Sequence, residues 1–186
     1  AHGAGEEAHD ASPGGPDLRR ARVPPRSAPP SRGVDHHRAG RSLSTGVGGP
    51  RRPWRDRRVV LGVTGGIAAY KSIQLARDLT LLGAEVETVL TEAATRFVGP
   101  LSFEGVTGRA PHTTLWKTDG AALHVALGRE ADAVCVAPAT ADFVARAAHG
   151  RADDLLAAVL LATEAPVLVC PAMNHRMYRH FQTRAN

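Results

Sequence analysis

The feature that most constrains this chain is a regular alternation that begins after Arg58. Short, continuously apolar, β-rich runs at Val59–Val63, Val86–Leu90, Ala133–Ala137 and Val167–Cys170 are separated by longer stretches of helical character. Strands that are apolar on both faces, rather than alternating, belong inside a parallel sheet covered by helices. The spacing predicts helices over Ala68–Leu82, Ala141–Ala148 and Asp153–Ala162, the last opened by Asp153 and Asp154 as N-terminal caps. Between Thr91 and Leu123, Gly99-Pro100 and Ala110-Pro111 break the pattern into short helices and loops. The pattern stops at Asn186 just after a new helix begins and without a closing strand, which reads as a sheet incomplete at its C-terminal side.

Upstream of that alternation the chain has a different character. Residues 1 to 57 hold 8 of the 13 prolines and 9 of the 19 glycines, with Trp54 as their one aromatic residue and no hydrophobic periodicity. A segment of this composition buries too little surface to offset its ordering entropy, so a disordered extension is expected. The formal charge of +5 invites a nucleic-acid reading. Its location argues against that reading: residues 1 to 58 carry 12 arginines and 6 acidic residues, leaving 11 basic and 12 acidic residues for the rest. Nucleic acid is therefore not the expected partner of the domain. A transit peptide fits poorly with Glu6, Glu7 and Asp10.

Cys135 and Cys170 each sit in an apolar run, outside any CxxC pattern, and read as structural thiols in a reducing cytoplasm. No apolar stretch is long enough to span a membrane and no metal-ligand pattern stands out, so neither a membrane nor a metal partner is expected.

Five places are candidates to carry chemistry. The turn Gly62-Val63-Thr64-Gly65-Gly66-Ile67-Ala68 follows a strand and opens a helix, which directs backbone N–H groups and the positive helix end at an anion. It is neither a P-loop nor G-x-G-x-x-G, because Tyr70 precedes Lys71 and Thr64 occupies the second glycine position; a plain βα turn is the competing reading. Thr91 ends the second strand, where its hydroxyl either reaches a ligand or caps the helix that follows. The third strand runs into Ala137-Pro138-Ala139-Thr140-Ala141-Asp142, small residues that let a flat ring approach the backbone, with Thr140 again a ligand group or a cap. The fourth runs into Pro171-Ala172-Met173-Asn174-His175-Arg176-Met177-Tyr178, an amide between two methionines. His124, in Leu123-His124-Val125-Ala126-Leu127, is by itself either structural, exposed or functional.

In order, these segments, together with Leu90-Thr91-Glu92-Ala93-Ala94-Thr95-Arg96-Phe97-Val98-Gly99-Pro100-Leu101 and Gly150-Arg151-Ala152-Asp153-Asp154-Leu155-Leu156, resemble the homo-oligomeric flavin-containing cysteine decarboxylases. The likeness covers residues 58 to 186 and is greatest to the branch that forms the decarboxylase half of bifunctional coenzyme A-biosynthesis enzymes. Thr140, Asp142 and Tyr178 stand where the lantibiotic-processing branch has Ser, Asn and Trp, which argues against a peptide substrate. The resemblance implies a three-layer flavodoxin- or Rossmann-like parallel sheet, an FMN domain over 58 to 186, and a homotrimer or higher homo-oligomer in the cytoplasm.

For the site, the resemblance implies FMN held by Gly65, Gly66, Ile67, Thr91, Pro138, Ala139, Thr140 and Ala141. It implies His124 and Asn174 as catalytic residues and Ala172, Met173, Asn174 and Met177 as substrate contacts. The implied reaction is decarboxylation of phosphopantothenoylcysteine to phosphopantetheine, in which oxidation of the substrate thiol creates the electron sink for CO₂ loss and the net change is redox-neutral. Flavin prenyltransfer and a non-catalytic regulatory subunit are the alternatives. Neither the downstream cysteine of the family nor its substrate flap has a counterpart before Asn186, and the chain as it stands is expected to bind flavin weakly because a further strand and part of the trimer interface are expected beyond that point.

Overall fold

The computed structural model describes residues 52–116 and 122–186. The expected N-terminal extension lies, up to residue 51, outside the described residues. Four parallel strands, β1 (Arg58–Val63), β2 (Glu85–Leu90), β3 (Ala133–Ala139) and β4 (Val167–Pro171), form one sheet in the order β2-β1-β3-β4. Around them lie α1 (Ala69–Leu81), α2 (Glu92–Thr95), α3 (Pro100–Thr107), α4 (Leu123–Glu130), α5 (Ala141–Ala148), α6 (Leu155–Ala162), α7 (His175–Arg179) and α8 (Phe181–Ala185). The expected α/β class holds, and each expected strand is present within two residues of its expected ends.

Alternation along the strands divides the core into two layers. Val59, Leu61 and Val63 point to α1 and α3, where Ala69, Ala76 and Phe103 close the packing. Val60, Val134 and Val136 point to the opposite side, against Leu127 of α4, Phe143 of α5 and Leu155 to Val159 of α6. Helix α6, Leu-Leu-Ala-Ala-Val-Leu-Leu-Ala, is apolar all round and buries its first five residues. Asp154 is its N-cap, accepting from Ala157 N at 2.8 Å, whereas Asp153 pairs with Arg146 and Arg151 instead.

Two expectations change. The ordered domain starts upstream of Arg58: Trp54 packs against the α1 side of the core, its N–H donates to Leu82 O at 3.2 Å, and Glu85 N donates to Arg57 O at 2.8 Å. Gly83, at φ +99°, supplies the left-handed turn on which this segment rests. Strand β4 is also less buried than its apolar run predicts, with Leu168 60 % exposed. It is the edge strand, and no described element covers its faces as α1 and α6 cover β1 and β3.

Because the chain passes from β2 over β1 to β3, the strand order reverses between β1 and β3, which is where ligands bind in open parallel sheets. The C-terminal strand ends are laced together there. Thr91 N donates to Val63 O (3.1 Å), Thr64 N to Pro138 O (3.2 Å) and Ala172 N to Ala139 O (2.9 Å).

Candidate functional site

At the C-terminal ends of β1, β3 and β4 lies a cavity of about 700 Å³, within the usual range for small-molecule sites. The turn after β1 contributes Gly65, Gly66 and Ile67, and α1 contributes Tyr70 and Lys71. Pro138, Thr140 and Ala141 line it from the end of β3, and Ala172, Met173, Asn174 and Met177 from the segment after β4. Ten of the expected site residues therefore meet in one place.

Helix α1 begins without a side-chain cap and without an acidic residue in its first turn. Its positive end and orphan N–H groups are thus left for an anion from the cavity, and Lys71 adds a full positive charge to the same wall. Ile67 is 82 % exposed. An isoleucine so bare at the first turn contributes little to the core and instead offers an apolar wall. Gly65 is constrained by packing: a Cβ there would stand 2.4 Å from Ala93 Cβ and 2.6 Å from the Ala93 carbonyl carbon. A Cβ at Gly66 would meet only Thr140 Cγ2 at 3.5 Å, an ordinary contact.

The polar groups around the cavity are held by their own elements. Asn174 caps α7, its Oδ1 accepting from Arg176 N at 2.9 Å, so its amide N–H groups remain as donors toward the cavity it lines. Thr140 caps α5 through Phe143 N (3.3 Å), and Thr91 caps α2 through Ala94 N (3.2 Å). Both capping readings are therefore realised.

Three expected residues are not in this lining. Thr91 lies at the end of β2 and borders a smaller cavity of about 340 Å³ with Glu92, Arg96, Arg146, Asp153 and Asp154. Ala139 is fully buried and faces the α6 side of the core. His124 stands in the first turn of α4, half-buried, on a helix that packs against α6; Thr163 Oγ1 donates to Gly128 O at 2.8 Å across that contact.

Sequence reasoning missed four contributors. Thr64 is 2 % exposed and ties the two sides of the switch point together, donating from Oγ1 to Pro138 O (2.7 Å) and accepting from Thr140 N (3.0 Å). Nothing in the local pattern signals that partner, since it comes from a strand far along the chain. Tyr70 and Lys71 follow Ile67 by three and four residues, so helical periodicity alone places them on the wall that Ile67 begins. The fourth is Arg146, which lies over the Phe143 ring and joins Asp142, Asp153 and Asp154 at 3.1, 2.9 and 2.7 Å. Burial opposes the Arg146 charge, but the Asp154 and Asp153 carboxylates outweigh it and raise the pKa above the usual arginine value. The Arg146 guanidinium in turn holds Asp153 below the ordinary carboxylate range.

The sequence pattern of the family described as Flavoprotein matches residues 49–186. The chain belongs to the Flavoprotein family. Among curated Flavoprotein relatives, the Coenzyme A biosynthesis bifunctional protein CoaBC of Mycolicibacterium smegmatis is 49 % identical over 130 residues, covering 70 % of this chain and 31 % of the relative. CoaBC of Escherichia coli is 48 % identical over 132 residues, 70 % of this chain and 32 % of the relative. The chain thus spans about a third of the length of these curated relatives. Among solved structures, the FMN-dependent cysteine decarboxylase SpaF superposes with a TM-score of 0.67 at 39 % identity, over 71 % of this chain and 77 % of that one. A PPC decarboxylase variant complexed with pantothenoylaminoethenethiol gives 0.61 at 30 % identity, over 70 % and 75 %.

Proposed function

We propose that this Flavoprotein domain binds FMN and decarboxylates phosphopantothenoylcysteine to phosphopantetheine in coenzyme A biosynthesis. The observation that carries the reading is the cavity at the switch point. Its anion-ready α1 terminus, Lys71, apolar walls and Asn174 amide are assembled from the segments by which the chain resembles the decarboxylases. The residues present fit the cofactor: Gly66, Ile67 and Lys71 suit a phosphate, and Ile67, Pro138, Ala141 and Met173 suit the faces of a flat ring. Bound there, FMN would supply a reversible two-electron acceptor, the chemistry that amino-acid side chains lack.

The protein's own groups supply position and environment. Asn174 donates amide hydrogen bonds to the substrate carboxylate and orients it. The neighbouring Met173 and Met177 side chains keep water from the carboxylate, which favours its departure as neutral CO₂. His124 holds or returns a proton during the reaction. Its position outside the cavity lining of its own chain is accommodated if a second copy brings it there, in keeping with a homotrimer or higher homo-oligomer. Among the described residues no helix is long and apolar enough to cross a membrane, and the reading places the protein in the cytoplasm.

The test is reconstitution of the purified chain with FMN, followed by absorption spectroscopy and CO₂ release from phosphopantothenoylcysteine. Weak but saturable flavin binding, with CO₂ release while FMN is held in excess, is expected. No flavin binding at saturating FMN, or undiminished CO₂ release by His124→Asn, overturns the reading. If copies share the site, mixing His124→Asn with Asn174→Asp chains restores activity that neither has alone.

A further inference from the structure

One positive charge serves two cavities. Beside the main cavity lies a smaller one of about 280 Å³, between α1 and the ends of β3 and β4. Its α1 wall is the stripe Ala68, Lys71, Ser72 and Leu75, whose helical spacing puts all four on one face. Pro138 of β3 and Pro171 of β4 stand opposite. Ala68, Lys71 and Pro138 border the main cavity as well, so Lys71 stands where the two meet.

The chemistry of these walls decides what they can hold. Lys71 is the one charged side chain lining either cavity, and neither lining contains a carboxylate. Among the described residues its ammonium has no ion pair and no hydrogen bond. The Ser72 hydroxyl is already committed, donating to Ala137 O at 2.6 Å, and fastens α1 to β3 beneath the side cavity. An occupant of the side cavity therefore meets mostly apolar walls and one unpaired cation at the junction.

Resting on the proposed function, two phosphates have to be placed when FMN and phosphopantothenoylcysteine are bound together. The orphan N–H groups at the start of α1 are there for the cofactor's. Lys71 follows Ile67 by one helical turn, about 6 Å along the axis, and is left for the second. The main cavity, about 700 Å³, has the size of a site for one drug-sized ligand. With a flavin in it, the distal arm of the substrate has to extend beyond it. That arm ends in a carbon bearing two methyl groups, joined through a single CH₂–O link to the phosphate. A branched apolar group beside a dianion matches an apolar cavity beside an unpaired lysine. We propose that the side cavity is the subsite for the dimethyl end of the substrate and that Lys71, pairing with its phosphate, selects phosphorylated pantothenoyl compounds over unphosphorylated ones.

The experiment is calorimetric titration of the full chain with phosphopantothenate and with pantothenate, each without FMN and at saturating FMN. Neither ligand carries the cysteine, so the readout is binding and not CO₂ release. In both conditions phosphopantothenate is expected to bind about tenfold more tightly, the contribution of one charge-assisted bond. Lys71→Met keeps the apolar stem and should abolish the ratio, while Lys71→Arg retains most of it, with circular dichroism confirming each fold. Equal affinity for the two ligands, or no binding of either, overturns the proposal. So does a ratio that survives Lys71→Met, or competitive displacement of phosphopantothenate by FMN, which would give Lys71 to the cofactor. A Lys71-dependent ratio in a chain that binds no FMN upholds the subsite while the FMN reading falls.

Discussion

Thr64 shows how one side chain can join the two halves of a switch-point site. Its hydroxyl is buried and fully committed, donating to Pro138 O and accepting from Thr140 N. Valine has the same shape but leaves the Thr140 N–H without its partner and removes one of the two bonds to Pro138 O, the one from Thr64 N remaining, at a cost of about 1–3 kcal/mol. Thr64→Val is therefore expected to lower the unfolding free energy read from urea titration by that amount and to weaken FMN retention, with Thr64→Ser restoring most of both. Equal behaviour of the valine and serine variants would show that the hydroxyl does not hold the loop. The glycine turn was legible as an anion-binding candidate, because strand, turn and helix are local. The bonds of Thr64 were not, because Pro138 and Thr140 reach it only through the parallel crossover. Gly65 was legible as a glycine that matters, yet the contact that requires it, the backbone of Ala93, belongs to α2, beyond a different strand.

At the scale of elements, caps were the most readable signals, and Asp154 shows what lies behind one. It caps α6 and also pairs with Arg146, which has only 17 % of its side chain exposed. Asp154→Ala removes both roles and is expected to cost about 2 kcal/mol, whereas Asp154→Asn keeps the cap and should cost less than half of that. Thermal or urea unfolding of the two variants separates the contributions. A second element-level device anchors the outer edge of β2. Glu87 meets His112 Nε2 at 3.1 Å and Arg109 Nη1 at 2.7 Å, and His112 in turn bridges to Val89. The His112 hydrogen bond, followed by Arg109, holds the Glu87 carboxyl below its ordinary 4.5 despite burial. A depressed folded-state pKa means that this stabilisation is present above the unfolded value and is lost as pH falls through the folded one. The urea midpoint should therefore fall as pH drops below about 4.5, and Glu87→Gln should flatten part of that fall. A Glu87→Gln profile parallel to the parent would remove Glu87 from the account. None of this network was legible in the sequence, since its charges are spread over β2 and the loop after α3.

For the molecule as a whole, composition and periodicity fixed the class and the strand positions, because a buried parallel strand must be apolar on both faces. Periodicity does not say which strand lies at an edge. Val136 and Val169 are register partners on adjacent strands with the same side chain, yet Val136 is 0 % and Val169 40 % exposed. Truncation therefore compares the two environments directly. Val136→Ala should cost on the order of 2 kcal/mol, as expected for methyl groups removed from a closed core. Val169→Ala should cost well under half of that in dilute protein, where no element among the described residues covers the β4 face. A cost for Val169→Ala that rises with protein concentration would instead mean that association buries the strand, since stability is then linked to the partner by mass action. Measured across a concentration series, the same pair of variants decides whether the edge at β4 is a bare surface or half of a contact. That outcome also bears on His124, because only an associating chain can bring a second copy's α4 to the cavity that its own α4 does not line.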